Sequence, residues 1–127
     1  AQCRGRSEED AKAILLDYLE EFIEERFLTA QQLIVDMALK KIVDGDVVMV
    51  YGCSYVVSRL LVAAFEAGRR FQLVVVDGDA RHEGKEMMHR MSSAGIPCTY
   101  VLLNAISYMM TATTKVFLGA AAMLCNG

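Results

Sequence analysis

The chain has 127 residues, 54% of them hydrophobic and 23% charged, with one Pro, nine Gly and a formal charge of −3. That is one domain's length with enough apolar content for a core, which excludes intrinsic disorder, a fibrous repeat and a self-contained multidomain enzyme. The acidic balance argues against a nonspecific phosphate-backbone binder, and every apolar run falls short of the roughly 18 to 20 residues that span a bilayer.

Residues 1–45 hold six Lys/Arg against ten Asp/Glu, and residues 46–127 hold seven against six, with the change at Asp44-Gly45-Asp46. This predicts a helical segment over 1–45 and an α/β domain over 46–127. In the first, Ser7 with Asp10 makes a capping-box-like start, and Leu15, Leu19, Phe22 and Ile23 recur on one stripe. Asp17, Glu20, Glu21, Glu24 and Glu25 face the other way as a solvated surface. A second helix is expected from Thr29 as N-cap, with Leu33, Ile34, Met37, Ala38 and Ile42 in helical period, ending at Asp44-Gly45.

Beyond Asp46 the period changes. Residues 47–51, 71–76, 99–103 and 116–118 are short, nearly unbroken apolar and β-branched runs, as in strands buried on both faces. Between them, 54–67 closed by Gly68, 83–94 closed by Gly95 and a short stretch from 104 to about 112 read as helices. The alternation specifies N-terminal helices followed by the first half of a Rossmann-like parallel sheet of about four strands. The apolar run Gly119 to Cys125 closes the sequence, leaving the fourth strand uncovered, so a fragment of a longer chain is expected, self-associating through that strand.

Cys3, Cys53, Cys98 and Cys125 are separated by 50, 45 and 27 residues with no C-x-x-C pair, so neither a zinc site nor a disulfide framework follows. The thiols read as reduced, in a cytoplasmic protein. The first strand-to-helix turn, Gly52-Cys53-Ser54-Tyr55-Val56, lacks the second glycine of a nucleophile elbow and the glycines of a dinucleotide loop. Its plainest reading is a tight turn at Gly52 followed by a helix N-cap at Ser54. His82, Glu86 and His89 fall on one helix face, an incomplete metal shell better explained as a solvated face around Met87, Met88 and Met91. Arg69-Arg70 follow a helix end, where positive charge complements the dipole.

Several stretches in fixed order carry a resemblance. They are Lys40-Lys41 through Asp44-Gly45-Asp46 to Tyr51, Glu66-Ala67-Gly68-Arg69-Arg70 to Asp77, Glu83-Gly84, Ala94-Gly95-Ile96-Pro97, and Lys115 through Gly119-Ala120 with Asn126-Gly127. Residues 29–127 thereby resemble the alpha/beta/delta subunit family of translation initiation factor two-B, the delta subunit most of all. The resemblance implies a regulatory, noncatalytic subunit of the guanine-nucleotide exchange factor for initiation factor two. Its implied partners are the other regulatory and catalytic subunits and factor two itself, with no cofactor, no direct nucleic acid and no membrane. Family members carry a Rossmann-like C-terminal domain whose usual continuation follows the Asn-Gly.

The same superfamily includes sugar-phosphate isomerases acting on methylthioribose 1-phosphate or ribose 1,5-bisphosphate, which is the alternative reading. Their nucleophilic Cys position falls on Gly52, one residue before Cys53, and their proton-shuttling Asp position falls on Ala121. Their phosphate-binding Arg-Pro corresponds to Asp79-Ala80, and a carboxylate there repels a phosphate. The resemblance therefore implies no catalytic residues and no metal. It leaves a ligand crevice with Gly52, Cys53, Ser54, Asp77, Gly119 and Asn126 as candidates.

Overall fold

The computed structural model describes residues 8–78 and 80–126. Ser7 and Cys3, named above, lie outside the described residues. The chain divides into two compact units between Ile34 and Val35.

In the first unit, helix α1 runs over Glu8–Ile23, passes through one wide π-type turn at Glu24–Leu28 and enters helix α2, Thr29–Leu39. The break expected at Thr29 is absent. Thr29 is helical (φ −65°, ψ −44°), and its hydroxyl donates back to the Glu24 carbonyl at 3.2 Å instead of capping a new start. No Gly or Pro lies between 24 and 29 to interrupt the backbone, and a back-bonding Thr is a common companion of a locally widened helix. The apolar stripe is present, yet α1 has no buried residue.

The second unit begins with the last turns of α2. That helix ends at Leu39 rather than at Asp44, because the chain turns there to drive Ile42, fully buried, into the core. Asp46 holds the turn by accepting the Val43 amide at 2.8 Å. Strand β1 (Val47–Tyr51), helix α3 (Tyr55–Glu66), strand β2 (Gln72–Asp77), helix α4 (Glu83–Ser93), strand β3 (Cys98–Leu102), a 3-10 turn (Leu103–Ala105) with short helix α5 (Ile106–Met110), and strand β4 (Lys115–Phe117) follow. The strands are parallel in the order β3-β2-β1-β4, the first half of a doubly wound sheet.

One face of the sheet, with Val48, Val50, Leu73 and Val75, packs against Val57, Leu60, Leu61 and Ala64 of α3, Met87 and Met91 of α4, and Val35 and Ile42. Each large side chain buried there contributes roughly 1.5–3 kcal/mol. The opposite face, Met49, Val74 and Val76, is covered more thinly by Val101, Ile106 and Met109. Burial on both faces holds for β1 and β2 but not for β3 and β4, whose residues are half-buried or exposed. Among the described residues the two outer strands have a neighbour on one side only, so their runs read as interior while their positions are edges.

β4 is pinned at its start. Thr114 and Val47 exchange backbone and hydroxyl hydrogen bonds, the Thr114 hydroxyl donates to Asp46, and the Lys115 ammonium meets the buried Asp46 carboxylate at 2.7 Å. This bond to Lys115, with the Val43 amide, outweighs the cost of burial and brings the Asp46 carboxyl from 3.8 down to about 2.

Candidate functional site

A parallel sheet opens a crevice beyond the carboxyl ends of its strands, where the loops diverge. Here that end is shaped by Gly52 and Asp77. Gly52 directly follows β1 with φ +64°, a backbone conformation that L side chains rarely adopt, and its amide donates to the Val76 carbonyl at 2.9 Å. Asp77 ends β2 and is 2% exposed. The two line a cavity of about 490 Å³ together with Tyr51, Gly78, Ala80, Arg81, Glu83 and Leu103.

Asp77 is the most constrained group of the site. Burial acts to raise its carboxyl, but the Tyr100 hydroxyl, donating at 2.8 Å, and the Gly84 and Gly78 amides outweigh it, with nearby His82 adding. The net direction is below the ordinary carboxylate value, so the group is ionised. Tyr100 stands opposite Val75 in the register, two residues before Asp77 on the same face, which lets its ring reach along the ladder. Gly84 admits the carboxylate because it has no side chain: a Cβ there would lie 2.8 Å from both Cβ and Cγ of Asp77. Asp77 thus ties the first turn of α4 to β2. His82, in the left-handed region at φ 50°, precedes that helix without a side-chain cap bond.

The remaining candidates separate into two places. Ser54 adopts the extended N-cap conformation of α3 (φ −112°, ψ 128°) but makes no side-chain cap bond. It packs against the exit of β4, where a Cβ on Gly119 would come within 3.0 Å of Ser54 Cβ and Oγ. Cys53 turns toward the core, half-buried against the main cluster, and that burial pushes its thiol up, with Glu86 and Glu83 adding and Arg90 opposing. A thiol held protonated is a poor nucleophile. Asn126 is exposed in the last turn, and Ala121 is exposed in a bend. Asp79 lies outside the described residues, while its neighbour Ala80 lines the cavity.

Tyr100 was not singled out by the sequence, and Tyr51 and Glu83 entered only as members of the resembling stretches, not as site residues. A hydroxyl inside an apolar strand run is the one signal Tyr100 offered, and its partner is set by register rather than by spacing. The Glu83 carboxylate would lie 3.4 Å from a Cβ on Gly52, so it walls the cavity and adds negative charge. Arg81 approaches Glu83 at 3.8 Å in the open. Among the described residues no group of three or more His, Cys, Asp or Glu is placed to hold a metal. His82, Glu86 and His89 are exposed, and Glu86 pairs instead with Arg90 one turn on. Among the described residues no helix is long and apolar enough to cross a membrane.

The chain as a whole is similar to known proteins. Residues 2–127 match the profile of the initiation factor 2 subunit family. Translation initiation factor eIF2B subunit delta of Schizosaccharomyces pombe is 40% identical over 121 residues, covering 95% of this chain and 26% of the relative. The same subunit of Dictyostelium discoideum is 41% identical over 121 residues, covering 95% of this chain and 19% of the relative. The chain therefore spans about a quarter or less of the length of these relatives. The crystal structure of the tetrameric eIF2B-beta2-delta2 complex from C. thermophilum aligns with a TM-score of 0.82 at 34% identity, over 96% of this chain and 39% of that one. Ribose 1,5-bisphosphate isomerase of Thermococcus kodakarensis is more distant, 29% identical over 127 residues and covering 100% of this chain and 39% of that enzyme. With the family profile matched along nearly the whole sequence, this chain belongs to the initiation factor 2 subunit family.

Proposed function

We propose that the chain acts within a regulatory, noncatalytic subunit, delta-like, of the guanine-nucleotide exchange factor for initiation factor two. The observation that carries this reading is the match of 40% and 41% to two delta subunits over 95% of the chain. The crystallised complex with a TM-score of 0.82 contains beta and delta subunits together, which supports other exchange-factor subunits as partners. Factor two itself, in the cytoplasm, is the remaining partner. In this reading residues 1–45 form the helical part and 46–127 the Rossmann-like half-domain.

The chemistry of the crevice supports a noncatalytic role over isomerisation. In the proposed alignment the nucleophile position is Gly52, the proton-shuttle position is Ala121, and the buried acid of the crevice, Asp77, is spent on Tyr100 and two backbone amides. Cys53 faces the core. The crevice at Gly52 and Asp77, with Ser54 and Gly119 set apart from it at the exit of β4, is an inherited ligand site without the reaction, so fold alone does not confer the activity. Release of labelled GDP from factor two, measured with the exchange factor reconstituted with and without the full-length protein, tests the assignment. Its omission should leave exchange by the catalytic subunits intact and abolish inhibition by factor two phosphorylated on its alpha subunit. Unchanged inhibition would contradict the reading.

A further inference from the structure

At the end of the sheet away from the crevice, where the strands begin, a second cavity of about 430 Å³ is bounded by the loops that enter β1, β2 and β3. Phe65, Phe71 and Pro97 supply its apolar wall, and among the described residues that line it Arg69 and Arg70 are the charged ones. The backbone of this arginine pair is held from several sides. The Arg69 amide donates to the Ala64 carbonyl at 3.0 Å, the Arg70 amide donates to the Asp44 carboxylate at 2.8 Å, and the Arg70 carbonyl accepts the Gly45 amide at 2.7 Å. The helix-closing turn at Gly68 (φ +81°) and the loop turn at Gly45 (φ +85°) fix the same corner. Both arginines are nevertheless exposed, and among the described residues neither side chain has an ion-pair partner. Two guanidinium forks without ion-pair partners, carried on an anchored backbone beside an apolar wall, are more than a helix-dipole complement requires.

We propose that this corner is a docking site for an acidic segment of a partner protein, one in which carboxylates flank an apolar side chain. Each guanidinium presents a planar fork suited to a bidentate carboxylate. The apolar side chain enters between Phe65, Phe71 and Pro97, and the anchored backbone reduces the ordering cost of binding. Two cations are too few to follow a phosphate backbone, so nucleic acid fits less well. The site is independent of the crevice and of the exchange-factor assignment.

The test is fluorescence anisotropy of a labelled Glu-Glu-Phe-Glu-Glu peptide against the 127-residue chain, with a Lys-Lys-Phe-Lys-Lys peptide and a single-stranded RNA of matched charge as comparators. The acidic peptide should bind, and the double variant Arg69→Glu with Arg70→Glu should weaken it by about tenfold or more. Lys85→Glu, on the exposed side of α4, should leave it unchanged. Should the charge reversal lower the unfolding midpoint, Arg69→Gln with Arg70→Gln gives the same reading without introduced repulsion. Failure of the acidic peptide to bind, equal binding by the double variant, or tighter binding of the RNA would each overturn the proposal.

Discussion

Asp77 is a carboxylate removed from water, and the groups that hold it are a phenol and two backbone N–H donors. Such a group is costly when any donor is lost. Tyr100→Phe keeps the ring and removes the 2.8 Å bond, so it should destabilise the fold by about 1–3 kcal/mol. The same change should move the Asp77 carboxyl upward, because its largest stabilising hydrogen bond is gone and the burial that opposes it remains. NMR titration of the carboxyl carbon reads that shift, and an unmoved Asp77 would mean that the amides suffice alone. Gly84→Ala tests the same corner by volume. Its Cβ would meet Asp77 atoms at 2.8 Å, and the overpacking should lower stability by about 1–3 kcal/mol in urea unfolding.

Among the elements, β4 depends on a clamp at the foot of the sheet. Asp46 has a carboxyl lowered from 3.8 to about 2 by Lys115, Val43 and Thr114. A carboxyl lowered on folding contributes stability that is fully present above its unfolded value and is lost as the pH falls through its folded value. The window is therefore from about pH 4 down to about pH 2, with about 2 kcal/mol at stake. Asp46→Asn should flatten that part of the acid-stability profile while leaving the profile near neutrality parallel to the original, as chemical unfolding across pH would record. An unchanged acid limb would remove Asp46 from the account.

These elements also mark where sequence reading succeeds. β1 matched its unbroken run because it is flanked on both sides, as is β2, which is shifted by one residue from its run, starting at Gln72 instead of Phe71 and reaching Asp77 by pairing with Leu102. β3 and β4 each begin one residue earlier than their apolar runs suggested, at Cys98 and Lys115, since ladder bonds rather than hydrophobicity set edge strands. Thr29 misled because a hydroxyl that caps a helix start is the same group that back-bonds within a helix. The glycine turn at Gly52 was legible from one residue. The Tyr100 to Asp77 bond was not, because it depends on a register that joins residues 23 positions apart.

For the whole molecule, the strand order follows from parallel crossovers, and it leaves β4 on an edge. Val116 is 47% exposed and Leu118 64%, and no charge follows Lys115 in the sequence. An apolar, uncharged edge invites pairing with another strand. The 127-residue chain should therefore form dimers or larger species in sedimentation equilibrium at high micromolar concentration. Leu118→Lys should shift it toward the monomer, and a purely monomeric parent chain would refute the edge argument.

The likeness to delta subunits and to a beta-delta assembly makes membership in the exchange factor the central claim. Affinity purification of the full-length protein from its own cells, followed by quantitative mass spectrometry, tests it most directly. The other regulatory and catalytic subunits should appear in stoichiometric amounts with it, together with initiation factor two. Recovery of the protein alone, or with catalytic turnover of ribose 1,5-bisphosphate in place of those partners, would contradict the account.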